Sequence, residues 1–172
     1  MFKKIKEYSV KKITDKNLNN RDLSLVNSPL NTLGFLVDET IFQDFETLYD
    51  YSNLLGIMRK DIKVFSFLDF RRRAPSLRQD QVSDKDFAWD GVIKCKSAQE
   101  FLDKSFDVLI GYYGGGNSFL DMMVSQSKAK FKIGGMGADK RIFDLLINVE
   151  VGNTKTFKEE TKKYLTVLNK IE

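Results

Sequence analysis

Apolar residues gather along this chain in short, nearly unbroken runs. Leu33–Val37, Ile62–Leu68 and Val108–Ile110 are apolar at most positions. Strands covered by helices on both faces have this pattern, and parallel sheets are built from such strands. Between the first two runs, Ile41, Phe45, Leu48, Ser52 and Leu55 recur at helical spacing, and Gly56 stands where a carboxyl-terminal cap is expected. Strand, helix and strand in so short a span predict a βαβ unit. Farther on, Phe157, Thr161, Tyr164, Leu165, Leu168 and Ile171 trace the inner face of a closing helix.

The most organised stretch is Phe106–Gly137. It reads as a strand, a glycine turn at Gly114, Gly115 and Gly116, a helix capped by Asn117 or Ser118, a strand over Lys130–Ile133 and a second glycine turn. Capping-box spacings predict helix starts at Ser97 and at Thr156. Val92–Cys95 reads as a short strand. Ile142–Val149 reads as another, antiparallel or at an edge, because its link to Ile133 is too short for a helical crossover. The expected fold is a single α/β domain of Rossmann-like or flavodoxin-like type, three-layered, with a mostly parallel sheet over residues 32–172. A basic helical arm over residues 1–22 and a polar, flexible joint over 23–31 precede it.

Composition narrows the chemistry. With no histidine, histidine-based triads and metal sites are excluded, and the single cysteine, Cys95, excludes an internal disulfide. Cys95 reads as a small buried residue. No cofactor or catalytic residue is assigned. The start lacks the apolar core of a secretory signal and no run is long enough to span a membrane, so a cytoplasmic location is expected.

Charge points to two candidate sites. Residues 1–22 carry seven basic and three acidic side chains, which is the whole +4 excess of the chain. Lys3, Lys4, Lys6, Lys11, Lys12 and Lys16 suit phosphate, on RNA, on the ribosome or on an anionic lipid surface. The alternative is a helix packed on the domain by Phe2, Ile5, Ser9 and Ile13. The second site follows from the predicted parallel sheet, whose ligands sit outside the carboxyl ends of the strands. Asp38, Arg71, Arg72, Arg73, Gly114, Gly115, Gly116 and Asn117 all fall at such ends. A glycine turn before a helix offers amides to an anion, and arginine suits phosphate or carboxylate. The spacing matches neither the dinucleotide fingerprint nor the Walker loop. Trp89, between acids in a long irregular region, reads as a plug for the core beneath that region more than as a stacking platform.

Two resemblances follow. The lysine-rich start, NTLGFLVDE, DFAWDG, FDVLIGYY, SKAKFKIGG and YLTVLN together resemble a family of about this length from Bacteroidota known only as a domain of unknown function. That resemblance implies no catalytic or binding residue. More loosely, Phe106–Ile110, Ser118–Ser127 and Ala129–Gly134 resemble the amino-terminal half of heptosyltransferase-like glycosyltransferases; those enzymes place two such domains around the donor and this chain has room for one, so the likeness extends to the fold alone. The leading expectation is a non-enzymatic module that binds RNA or the ribosome through its arm. The alternatives are an enzyme or sensor for a small phosphorylated or nucleotide-sugar ligand, and a peripheral membrane protein.

Overall fold

The computed structural model describes residues 2–70 and 78–172. Among these residues the strands are β1 (Leu33–Asp38), β2 (Ile62–Leu68), β3 (Gln81–Ser83), β4 (Val108–Tyr112), β5 (Phe131–Gly134) and β6 (Leu145–Leu146). They form one sheet in the order β3-β2-β1-β4-β5-β6, and every pairing is parallel. The helices are α1 (Phe2–Asn19), α2 (Phe45–Tyr49), α3 (Tyr51–Leu55), α4 (Lys96–Asp103), α5 (Ser118–Gln126) and α6 (Thr154–Val167).

The unbroken apolar runs are explained by a core on each side of the sheet. Phe35, Val37, Val64, Ile110 and Ile133 face Leu48, Tyr51, Phe157 and Leu165 of α2, α3 and α6. The alternate residues Leu36, Phe65, Phe67 and Leu109 face α1, α4 and α5. This is the three-layer α/β architecture that the pattern predicts.

The amino-terminal helix is part of that architecture. Val10 and Thr14 are buried, and Asn17 Nδ2 donates to Ser125 Oγ at 3.1 Å. Burial of a side chain such as Val10 contributes about 1.5–3 kcal/mol, which holds α1 on α5. The polar segment read as a flexible joint is tied down. Lys170 Nζ donates to the carbonyls of Val26 and Ser28 at 2.6 and 3.0 Å, and the Leu30 amide donates to the Lys170 carbonyl at 2.9 Å.

Several local expectations need correction. The helix expected after β1 is two short helices, ended by Gly56 in the left-handed region (φ 70°). α4 starts two residues early, with Cys95 rather than Ser97 at its cap position and no side-chain cap bond. α6 is capped by Asn153, whose side chain accepts from the Thr156 amide, so Thr156 lies inside the helix. Val92–Cys95 contributes one antiparallel bridge, Phe87 to Ile93, and no strand. The final strand shrinks to Leu145–Leu146 and runs parallel at the sheet edge. A loop folded over Gly111 and Gly134 by Phe143 makes that crossover without a helix. Cys95 is half-buried, and Trp89, the expected core plug, is 73% exposed.

Candidate functional site at the carboxyl edge of the sheet

Strand order reverses at β1, which has β2 on one side and β4 on the other. Such a reversal leaves a crevice beyond the carboxyl ends of the two strands, where the connections diverge. Asp38 ends β1 and borders this crevice. Its Oδ1 accepts the Thr40 amide at 3.0 Å, and its Oδ2 accepts Asn117 Nδ2 at 3.4 Å. Asn117 also caps α5, its Oδ1 accepting from the Leu120 amide at 3.1 Å. One asparagine therefore fixes the helix start and joins it to the end of β1. The cap satisfies one of the orphan amides of the first turn; those of Ser118 and Phe119 have no acceptor within the helix, and both residues line the cleft formed here.

A cleft of about 370 Å³ opens over this pair, lined by Asp38, Thr40, Phe67, Asp69, Gly114–Phe119 and, from α1, Lys3 and Glu7. Of the residues expected here, Asp38, Gly114, Gly115, Gly116 and Asn117 do come together. Arg71, Arg72 and Arg73 lie outside the described residues. The cleft gains Lys3, Glu7 and Thr40, which no pattern in the sequence assigns to it. Lys3 is held across the opening by Asp69, Nζ to Oδ2 at 2.8 Å. The Thr40 hydroxyl is enclosed and has no hydrogen-bond partner among the described residues. Glu39, beside Asp38, turns inward instead and accepts from Ser66 Oγ at 2.9 Å.

The glycine turn is neither a Walker-type cradle nor a slack connection. Gly115 and Gly116 have φ of 82° and 72°, a region closed to most residues, and Gly115 abuts the carbonyl of Gly137 in the second turn. The two glycine turns brace each other and form the floor beside α5. Behind them, Tyr113 OH donates to Asp121 Oδ1 at 2.7 Å. Burial pushes the Tyr113 phenol well up, and the nearby Asp121 adds to it. Burial also raises Asp121, against the opposing effect of the Tyr113 hydrogen bond. This pair is a buttress beneath the first turn of α5.

The six lysines of α1 divide. Lys3 belongs to the cleft, and Lys6 Nζ donates to the Asp84 carbonyl at 3.1 Å. Lys4, Lys11, Lys12 and Lys16 are exposed, with Lys12 Nζ 4.6 Å from the centre of the Tyr8 ring.

A family model described as a family of unknown function, DUF6913, matches residues 6–168. The chain belongs to this family. The matched span runs from within α1 to just past α6, so the family's shared region takes in the cleft apart from Lys3. No curated protein and no solved structure matches the chain.

Among the described lining residues, three carboxylates stand against one lysine. The cleft thus offers acceptors for ligand hydroxyls at Asp38 and Glu7, and donors for an anion at the start of α5 and at Lys3.

Proposed function

We propose that this protein binds a small hydroxylated phosphate ester, of the class of nucleotides, sugar phosphates and nucleotide sugars, in the cleft at the strand reversal. The observation that carries the reading is the Asp38–Asn117 bridge. It places a fixed carboxylate beside a fixed helix start, an acceptor for hydroxyls next to amides for phosphate. The reading is of binding or sensing. Asp38 is already held by two donors, which suits an anchor better than a proton-transfer base.

RNA association through the amino-terminal lysines ranks below this. Lys3 and Lys6 are engaged with the domain, which removes two of the six expected phosphate contacts.

A thermal-shift panel of nucleotides, sugar phosphates and nucleotide sugars tests the proposal. At least one should raise the melting temperature in a concentration-dependent way. Asp38→Asn should reduce the shift for the hydroxylated ligand. Ser118→Pro removes one amide at a helix position that tolerates proline, and should reduce it for the phosphorylated ligand. A panel with no shift, or shifts indifferent to both substitutions, refutes the proposal.

A further inference from the structure

α1 carries a second surface, turned away from the cleft and from the core. Phe2, Ile5, Tyr8, Lys12 and Lys16 follow one another at steps of three and four residues, so they form one stripe along the helix. All five are exposed, Phe2 by 77% and Tyr8 by 61%. The acids of α1 are directed elsewhere. Glu7 lines the cleft, and Asp15 pairs with Arg141 at 3.3 Å.

The turn at Trp89–Val92 extends the stripe sideways. The Trp89 carbonyl accepts Ser9 Oγ at 2.9 Å. Gly91 sits so close to α1 that a β-carbon there would lie 2.9 Å from Ile13 Cδ1. The turn is therefore fastened to the flank of the helix while the Trp89 and Val92 side chains point into solvent. Its one exposed acid, Asp90, is partly engaged by the Val92 amide at 3.2 Å.

We propose that this face docks on the surface of an anionic lipid bilayer. Exposed aromatic and aliphatic groups beside lysines, on a rigid scaffold, match the boundary between headgroups and acyl chains. Tryptophan and tyrosine favour that depth, and each lysine near an anionic surface raises affinity about fivefold. RNA also fits the lysines and the aromatic rings. It fits Ile5 and Val92 poorly, because aliphatic groups give a base no face to stack on. Among the described residues no helix is long and apolar enough to cross a membrane, so the contact is with the surface.

The full chain should be sedimented with vesicles of phosphatidylcholine alone and of phosphatidylcholine with about a third phosphatidylserine, an anionic fraction chosen to expose the lysine contribution. Trp89 is the only tryptophan, so its emission reports on this face directly. Binding to the anionic vesicles, with a blue shift and with little binding to the neutral ones, is expected. Lys12→Glu with Lys16→Glu should cut that binding at least tenfold, and Ile5→Ser or Val92→Ser severalfold, with circular dichroism unchanged. Absence of anionic-vesicle binding overturns the proposal. So does binding indifferent to Ile5→Ser and Val92→Ser, or an emission change produced by single-stranded RNA but not by vesicles. Ile5→Ser should leave the ligand-induced thermal shift of the cleft intact, which keeps failure of one proposal distinct from failure of the other.

Discussion

Gly115 rests against the carbonyl oxygen of Gly137, too close for any β-carbon to fit, and its φ of 82° lies in the left-handed region. Steric exclusion and backbone conformation both demand glycine there. Gly115→Ala should cost about 2–4 kcal/mol, combining left-handed strain with a backbone clash. Gly114 has open space around its α-carbon and no such φ, so Gly114→Ala should change stability by less than about 0.5 kcal/mol. Urea denaturation of the two variants measures the contrast. Equal losses would show that the turns do not brace each other.

Lys132 is buried in the sheet, its Nζ donating to the Val124 carbonyl. Burial, with the Arg21 guanidinium nearby, pushes its ammonium down to about 7 from an ordinary 10.5, against the pull of Asp144. Between those values the unfolded chain holds a proton that the folded chain lacks, so stability rises with pH. The gain approaches about 1.4 kcal/mol per pH unit for one proton. Lys132→Met should be more stable than the parent near pH 7, and the difference should shrink towards pH 10. Above that, the buried Tyr51, Tyr112 and Tyr113, all raised mainly by burial, pull stability down in both proteins. Parallel pH–stability curves for the two proteins would contradict this.

Asp107 closes the other end of the sheet. It accepts the amides of Asn31 and Thr32 at 2.9 Å each, and Lys130 Nζ at 2.7 Å. Burial raises its pKa, but the Lys130 hydrogen bond and the two amides outweigh burial and hold it below the ordinary 3.8. Its stabilisation is present above that value and is lost as pH falls through the lower folded one. Asp107→Asn should cost about 2–4 kcal/mol at pH 7 and flatten the acid limb of the stability curve. An unchanged acid limb would mean that the three donors are satisfied elsewhere.

Asn117→Asp separates the two tasks of Asn117. An aspartate still caps α5 and suits its dipole. It also replaces the donor 3.4 Å from Asp38 with a second carboxylate. Ligand affinity in the cleft should fall, and the variant should lose about 1–2 kcal/mol at pH 7. The loss should shrink near pH 4, where one carboxylate takes a proton. A deficit that grows on acidification would rule out repulsion as its cause.

Most of this fold was legible because its inner strands are buried on both faces. The apolar runs at Leu33, Ile62 and Val108 leave little else to be. Edge strands carry no such mark. Gln81–Ser83 is polar and pairs for three residues, and Leu145–Leu146 for two. The capping boxes misled for a local reason. Cys95 and Asn153 occupy the cap positions that Ser97 and Thr156 were expected to fill, and only the backbone decides between such neighbours. In the site, Asp38 and Asn117 were readable from their places at strand and helix ends. Lys3 was not, because its role depends on Asp69, 66 residues away. Trp89 was misplaced because Phe87, two residues earlier, fills the core instead.

The Lys3–Asp69 pair makes α1 a shared wall. One side of the helix closes the cleft, and the other meets solvent with Phe2 and Ile5. A rigid helix cannot move one side without the other. Any shift of α1 that a ligand favours must therefore alter the outer face. If both proposed partners bind, the exchange is symmetric: the factor by which occupancy of the cleft changes attachment at the outer face is the factor by which attachment changes occupancy.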